Sequence, residues 1–426
     1  MNNDTRIHSI HARQILDCKL RGLLEVDVIT NAGVVGRACA PTGTSVGGME
    51  AFVLRDGPGT ATLAGTSVNV AIDMVYKVIA PMLIGMDVLD QVAIDQKMLR
   101  MDGTFRKEKL GGNSMYAVSA ACMRAGAAAM GKTVPEYLAG EREIAMLPVP
   151  ISNMFNGGRY GSIEMDFQEF GVIPFGASDM QEAVNIIVMT FQKVGQLLTK
   201  RGYPTGIANY FGHLPFSNNA IDLFEVIAEA VDICGFTSKV RYYADCAAGE
   251  LYNADRDTYR LMGREVDVDT FIGFLMEMTS KFPFYAIEDV VDDHDFEGFA
   301  KATKAMPRVH IIGDDLICTN PVLLQKAIDM DACTGMVFKP NQVGTITEAL
   351  TAFRTAEKNG MVVIPSVRAG GSIDDPVKEM AVGLQGHLAK CGAPRSGERI
   401  SFLSELMRAG DLYPKATLRI LPKRKI

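Results

Sequence analysis

From Leu24 the chain alternates as a half-buried strand does: Leu24, Val26 and Val28 are apolar, Glu25 and Asp27 polar. It turns at Asn31-Ala32-Gly33 into a second apolar run, so "LLEVDVITNAGVVGRACAP" predicts a β-hairpin. The period then lengthens, and "VNVAIDMVYKVIAPMLIG" and the alanine-rich "SMYAVSAACMRAGAAAMG" predict helices. An antiparallel sheet followed by helices makes an α+β unit over residues 1–140, with the polar "AGEREIAM" leading out of it.

The pattern changes over residues 141–426. Short apolar runs alternate with helical stretches: "FQEFGVIPFG" precedes "MQEAVNIIVMTFQKVGQLLTKRG", and "VRYYADCA" precedes "DVDTFIGFLMEMTSKF". Four further pairs follow, led by "FYAIEDV", "VHIIGDDL", "GMVFKPN" and "MVVIPSVR". Six such units imply a parallel sheet and more than half of a closed β/α barrel, whose chemistry sits at the C-terminal ends of its strands.

Three of these runs stop at an acid: Asp245 in "YADCAAGELY", Glu288 in "AIEDVV" and Asp314 in "IIGDDLICTN". Alone, each reads as the N-cap of the next helix. Parallel strands lie about 4.8 Å apart, so acids at matching heights on successive strands converge on one point. An all-carboxylate cluster suits a hard cation, Mg2+ above all.

Lys339, in "GMVFKPNQVGT", follows the next run and faces the same end. Burial beside other cations lets such a lysine lose its proton and act as a base. Lys390, in "GHLAKCGAP", approaches from the other side; its bland alternative is a lysine snorkelling to solvent. Metal and lysine together are the apparatus for removing a proton α to a carboxylate, the pattern general to enolate-forming barrels.

Bulk properties narrow the class. The chain has 426 residues, 48% hydrophobic and 22% charged, with a net charge of -7. That balance argues against a nucleic-acid or anionic-membrane partner, and the one dense basic stretch, "LPKRKI", reads as a solvated end. The eight cysteines show no metal-like spacing and fit a reducing cytoplasm. No apolar signal core or spanning run is present, so a cytoplasmic location is expected.

Together, "ARQILDCKLRGLLEVDV", "PTGTSVGGMEAFVLRDG", "DGTFRKEKLGGNSMYAVSAA", "LPVPISNMFNGG", "FQEF", "ADCAAGE", "AIEDV", "GDDLICTNP", "KPNQVGT" and "KCGAP" resemble, in order, the motifs of the enolase (phosphopyruvate hydratase) family. The resemblance spans nearly the whole chain. It implies an α/β fold: an enolase-type (β/α)8 barrel of unusual strand order, preceded by a smaller α+β capping domain. It also implies a homodimer or larger homo-oligomer and a small anionic substrate. Asp245, Glu288 and Asp314 match the family's Mg2+ ligands, Lys339 its catalytic base and Lys390 the lysine that holds the substrate carboxylate. Glu169 matches an active-site glutamate behind those ligands. Ser45 matches a loop serine that meets a second metal when substrate is bound, and Arg368 the arginine that holds the phosphate.

The departures cluster on the dehydrating half of the site. Where the family carries a Gly-Asp-Glu-Gly-Gly loop, with the glutamate that handles the leaving hydroxide, this chain reads "ANYFGHLPFSNN". His213 falls at the glutamate's place and Gly212 at the aspartate's. Tyr160 and Val367 stand at two histidine positions, and Ala369 at a serine that contacts phosphate. His213 and Tyr160 are thus the candidate acids, with Arg159 a further donor. Three functions remain open. The first is a Mg2+-dependent enolase-like lyase acting on a phosphorylated or phosphonylated relative of 2-phosphoglycerate. The second is an enolase-like transferase making a phosphonyl-enolpyruvate. The third, a non-catalytic scaffold, has no use for clustered acids beside a desolvated lysine.

Overall fold

The computed structural model describes residues 4–44, 46–161 and 165–424. Three strands, β1 (Ile7–Leu16), β2 (Gly22–Thr30) and β3 (Val35–Cys39), form an antiparallel sheet in that order. The hairpin turns where the sequence predicts, and Gly33 takes a positive φ of 82° that suits it to the turn. Helix α1 (Gly112–Ala129) packs on this sheet. Its alanines and glycines admit burial on nearly every side, which is why it shows no polar face. The predicted helix beginning at Asn69 is not uniform: its middle turn, Val75–Ile79, is a π-helix.

The larger sheet has eight strands. In chain order these are β4 (Val149–Asn156), β5 (Glu169–Ile173), β6 (Arg241–Asp245), β7 (Phe284–Glu288), β8 (His310–Gly313), β9 (Gly335–Phe338), β10 (Val362–Pro365) and β11 (Leu388–Lys390). Their spatial order is β10-β9-β8-β7-β6-β5-β4-β11, and a parallel bridge from Ser366 to Lys390 brings the two edges together as a barrel. Outer helices include α2 (Met180–Lys200) and α3 (Ala220–Ile233), each with one buried apolar stripe.

The expectation of a wholly parallel sheet is corrected at one strand. β5 runs antiparallel to both β4 and β6, because β4 and β5 are joined directly and not through a crossover helix. This reversal has a chemical consequence: Glu169, the first residue of β5, lies at the end of the barrel where the other strands finish. All eight cysteines are free thiols. No helix among the described residues is long and apolar enough to cross a membrane.

Candidate active site

Register places the acids. Glu169 pairs with Asp245, and Asp245 with Glu288, across three neighbouring strands, while Asp314 follows the last residue of β8. None of the three strand-end acids caps the helix after it. Those N-caps are Asp267, Asp295 and Asn320, each accepting a backbone N–H of its own helix. Apart from one backbone bond, from Ala247 N–H to Asp245 Oδ1 at 3.0 Å, the carboxylates at the strand tips are therefore left for other work.

Both lysines converge on them. Lys390 Nζ lies 2.8 Å from Glu288 Oε2, 3.0 Å from Asp245 Oδ2 and 3.0 Å from Glu169 Oε2. Lys339 Nζ pairs with Asp314 Oδ2. One cavity is lined by Glu169, Asp245, Asp314, Lys339, Arg368 and Lys390, and Glu288 joins the group through Lys390. The snorkelling alternative for Lys390 fails, because its side chain is only 5% exposed and bonded inward.

Sequence reasoning missed two acids, Asp289 and Asp315. Asp245, Glu288 and Asp289 each offer an oxygen within 4.8 Å of the others, and Asp289, Asp314 and Asp315 do the same. The doubled "ED" and "DD" were the available signal. Asp289 has a positive φ of 47°, so the chain leaves strand alternation at that residue, and Asp289 joins Glu288 at the site.

Electrostatics fit a cation. Burial and the Asp314 charge push the Glu288 carboxyl up to about 7 against the pull of Lys390. Burial and neighbouring acids raise Asp245, Asp289 and Asp315 as well. Acids this close and this buried resist ionising together, a cost that a bound divalent cation removes. Gln168 Oε1 adds a buried oxygen with no hydrogen-bond partner, while its Nε2 donates to Asp245 at 3.2 Å. The residues present thus suit Mg2+. Lys339 differs from the expectation of a lowered pKa: burial, the largest single influence, presses it down, but the neighbouring acids, Asp314 first, together hold it above its ordinary value.

Arg368 is buried beside the cavity, and its guanidinium fork meets Glu50 at 2.9 and 3.0 Å. Ser45 and the side chain of Tyr160 lie outside the described residues; the Tyr160 backbone closes a short 3-10 turn, Gly158–Tyr160. Arg159 pairs with Glu250 at 2.9 Å. Val367 and Ala369 line the cavity.

The structure does not bring His213 to this group. Its backbone extends the barrel edge, donating N–H to Met154 O at 2.9 Å and accepting from Asn156 N at 3.2 Å. That pairing turns the ring onto Phe191 of α2, with centroids 4.3 Å apart, where it lines a separate groove with Val188 and Arg395. Tyr210 enters the cavity in its place. A tight turn delivers it: Ala208 N bonds Gly212 O at 2.8 Å, and Phe211 sits at a φ of 70°. Gly212 is required there, since a Cβ would stand 2.5 Å from Asn156 Oδ1 and 2.9 Å from the Phe155 carbonyl carbon.

A barrel with carboxylates, two inward-facing lysines and an arginine at one end defines a class whose chemistry sits at the strand tips. Comparison with known proteins narrows the class. Residues 7–138 match the family model for the enolase N-terminal domain, and residues 144–417 that for the enolase C-terminal TIM barrel domain. The chain is 35% identical to the enolase of Methanococcus aeolicus over 97% of its length and 98% of the relative's. It is 36% identical to the enolase of Methanopyrus kandleri, covering 95% of each chain, and 36% identical to that of Methanococcus vannielii, covering 96% of each. The chain belongs to the enolase family.

Proposed function

We propose that the protein is a Mg2+-dependent lyase of the enolase type, acting on a carboxylic acid that also bears a phosphoryl or phosphonyl group. The observation that carries this reading is the convergence of Lys339, Lys390, Asp245, Glu288 and Asp314 at one end of the barrel. Asp245, Glu288 and Asp314 would hold the metal, with Asp289 and Asp315 as further oxygen donors. Mg2+ bound there would supply positive charge beside the substrate carboxylate.

Lys390 binds the same carboxylate as a fixed cation. Lys339 takes the α-proton. Once Asp314 and Glu288 are both engaged elsewhere, burial, Arg368 and Lys390 remain on Lys339, and all three favour the neutral amine. Glu169 holds Lys390 in line, and Arg368 borders the region for the second anionic group. The family's homo-oligomeric habit is carried over as part of this proposal.

A second reading has one observation in its favour. His213, the candidate acid of the rebuilt loop, faces Phe191 and not the cavity. On that reading the enolate forms and then passes to another acceptor, as in a transferase. The test is to supply 2-phosphoglycerate and Mg2+ and follow enolpyruvate absorbance. Its appearance supports the lyase. No absorbance, with exchange of the α-hydrogen for solvent deuterium, supports the second reading. Neither signal across phosphorylated and phosphonylated hydroxy acids contradicts both.

A further inference from the structure

One apolar cluster draws side chains from nearly every barrel strand, Val149, Ile151, Ile173, Ile312, Val337 and Ile364 among them, which places it inside the barrel. Tyr243 of β6 breaks its aliphatic character. The residue is fully buried in this cluster, and its hydroxyl has no hydrogen-bond partner. Tyr285, the other tyrosine there, donates its hydroxyl to the Pro422 carbonyl at 3.1 Å. An aliphatic residue at 243 would avoid burying an unsatisfied hydroxyl, so the presence of an aromatic ring needs a reason.

Register puts that ring beneath the strand-tip acids. Asp245 pairs with Glu169 and Tyr243 with Gly171, so Tyr243 shares a face with Asp245, one layer deeper in the barrel. A Cβ at Gly171 would stand 3.4 Å from Tyr243 Cδ1 and 3.2 Å from the Ser152 carbonyl oxygen, so a side chain there would crowd the ring. Lys390 Nζ, which meets Asp245, Glu288 and Glu169, lies over the ring, 5.3 Å from its centroid. The ammonium therefore has carboxylates at the strand tips and an aromatic face below. Such a face attracts a cation most strongly where both are shielded from water. Asp245 and Glu288 are acids proposed to hold the metal; the ring is a partner of Lys390 for which a metal does not compete.

We infer that Tyr243 is a positioning residue, whose ring face seats the Lys390 ammonium at the strand tips. This rests on the function proposed above and names what keeps Lys390 in place to meet the substrate carboxylate when Asp245 and Glu288 turn to another cation. The tyrosine hydroxyl has no part in it.

Two measurements on the full chain test the seat. In the first, NMR follows lysines labelled with carbon-13 beside the amine, and Lys390→Arg identifies the Lys390 signal. The ring should shift the protons of that carbon upfield in the wild type and in Tyr243→Phe, and Tyr243→Met should return them to the ordinary range. An unshifted Lys390 signal in the wild type overturns the inference without reference to turnover. In the second, residue 243 becomes phenylalanine, or phenylalanine bearing one, three or five fluorines, which keep the ring but drain negative charge from its face. Exchange of the α-hydrogen of 2-phosphoglycerate at saturating Mg2+ gives the ratio of rate to half-saturating concentration. Phenylalanine should hold that ratio within about threefold of the wild type, and fluorination should lower it stepwise, to a loss of about tenfold or more at five fluorines. Mg2+ affinity, read by metal titration, should stay constant through the series. A flat series in variants of native melting temperature overturns the seat, as does wild-type efficiency in Tyr243→Met. No exchange in the wild type, with the upfield Lys390 signal present, supports the seat and removes the proposed reaction alone.

Discussion

One wall of the cavity stands on strand tips, and the other hangs from the 206–214 loop and the turn into the helix Gly397–Leu412. The strand wall carries Glu169, Asp245, Asp314, Lys339 and Lys390. The loop wall carries Tyr210 and Arg399. Pairing fixes the first wall: a strand residue cannot move without breaking register with both neighbours. The second is fixed by a few bonds from residues 208–213 to β4, so a changed sequence there changes which side chain enters. On the proposed function, proton abstraction needs the first wall. Choice of substrate can be rebuilt on the second.

The largest effect that separates the walls should come from Glu288→Gln. Losing that charge from the strand wall should weaken Mg2+ binding by about a hundredfold or more and remove turnover, read by metal titration and by the exchange assay. Near-native Mg2+ affinity would break the account of the strand wall.

Stability of the barrel that carries that wall should depend on pH through His387, which joins the starting ends of β10 and β11. Its Nδ1 accepts the Val363 N–H at 3.2 Å, and Val363 O accepts its N–H at 3.0 Å. Burial, and then Arg419, press its pKa from 6.5 down to about 4. The neutral ring's contribution is complete above pH 6.5. Below that the unfolded chain takes up the proton first, so stability falls as pH drops toward 4, by up to about 3 kcal/mol. Urea unfolding between pH 4.5 and 7.5 should show this slope, and His387→Phe should flatten it; an identical slope in the variant would contradict it.

The smallest effect should come from the loop. His213→Gln removes a ring stacked on Phe191, outside the cavity, and should change turnover by no more than about threefold while lowering the melting temperature slightly. A tenfold loss of turnover in a stable variant would put His213 back among the reacting groups.

The same contrast explains what the sequence made legible. Asp245, Glu288 and Asp314 could be found because each ends an apolar run, and successive runs of one kind imply neighbouring strands. Lys339 and Lys390 followed by the same logic. Asp289 was hidden by its positive φ, which breaks the alternation on which such reading depends. The reversal of β5 was hidden because an apolar run has no direction. In the loop, periodicity was silent. Alignment with the family pointed to His213, but the bonds of His213 to Met154 and Asn156 decide that Tyr210 faces inward. The fold and the strand wall were readable in advance; the loop wall needed the pairing that only coordinates supply.

The central claim is that Lys339, beside a metal held on strand-tip acids, removes the proton α to a carboxylate. The most direct measurement is exchange of the α-hydrogen of 2-phosphoglycerate in deuterium oxide, followed by NMR for the wild type and Lys339→Ala at matched Mg2+ occupancy. The account predicts Mg2+-dependent exchange in the wild type and a loss of about a thousandfold or more in the variant. Exchange at the wild-type rate in Lys339→Ala would contradict it.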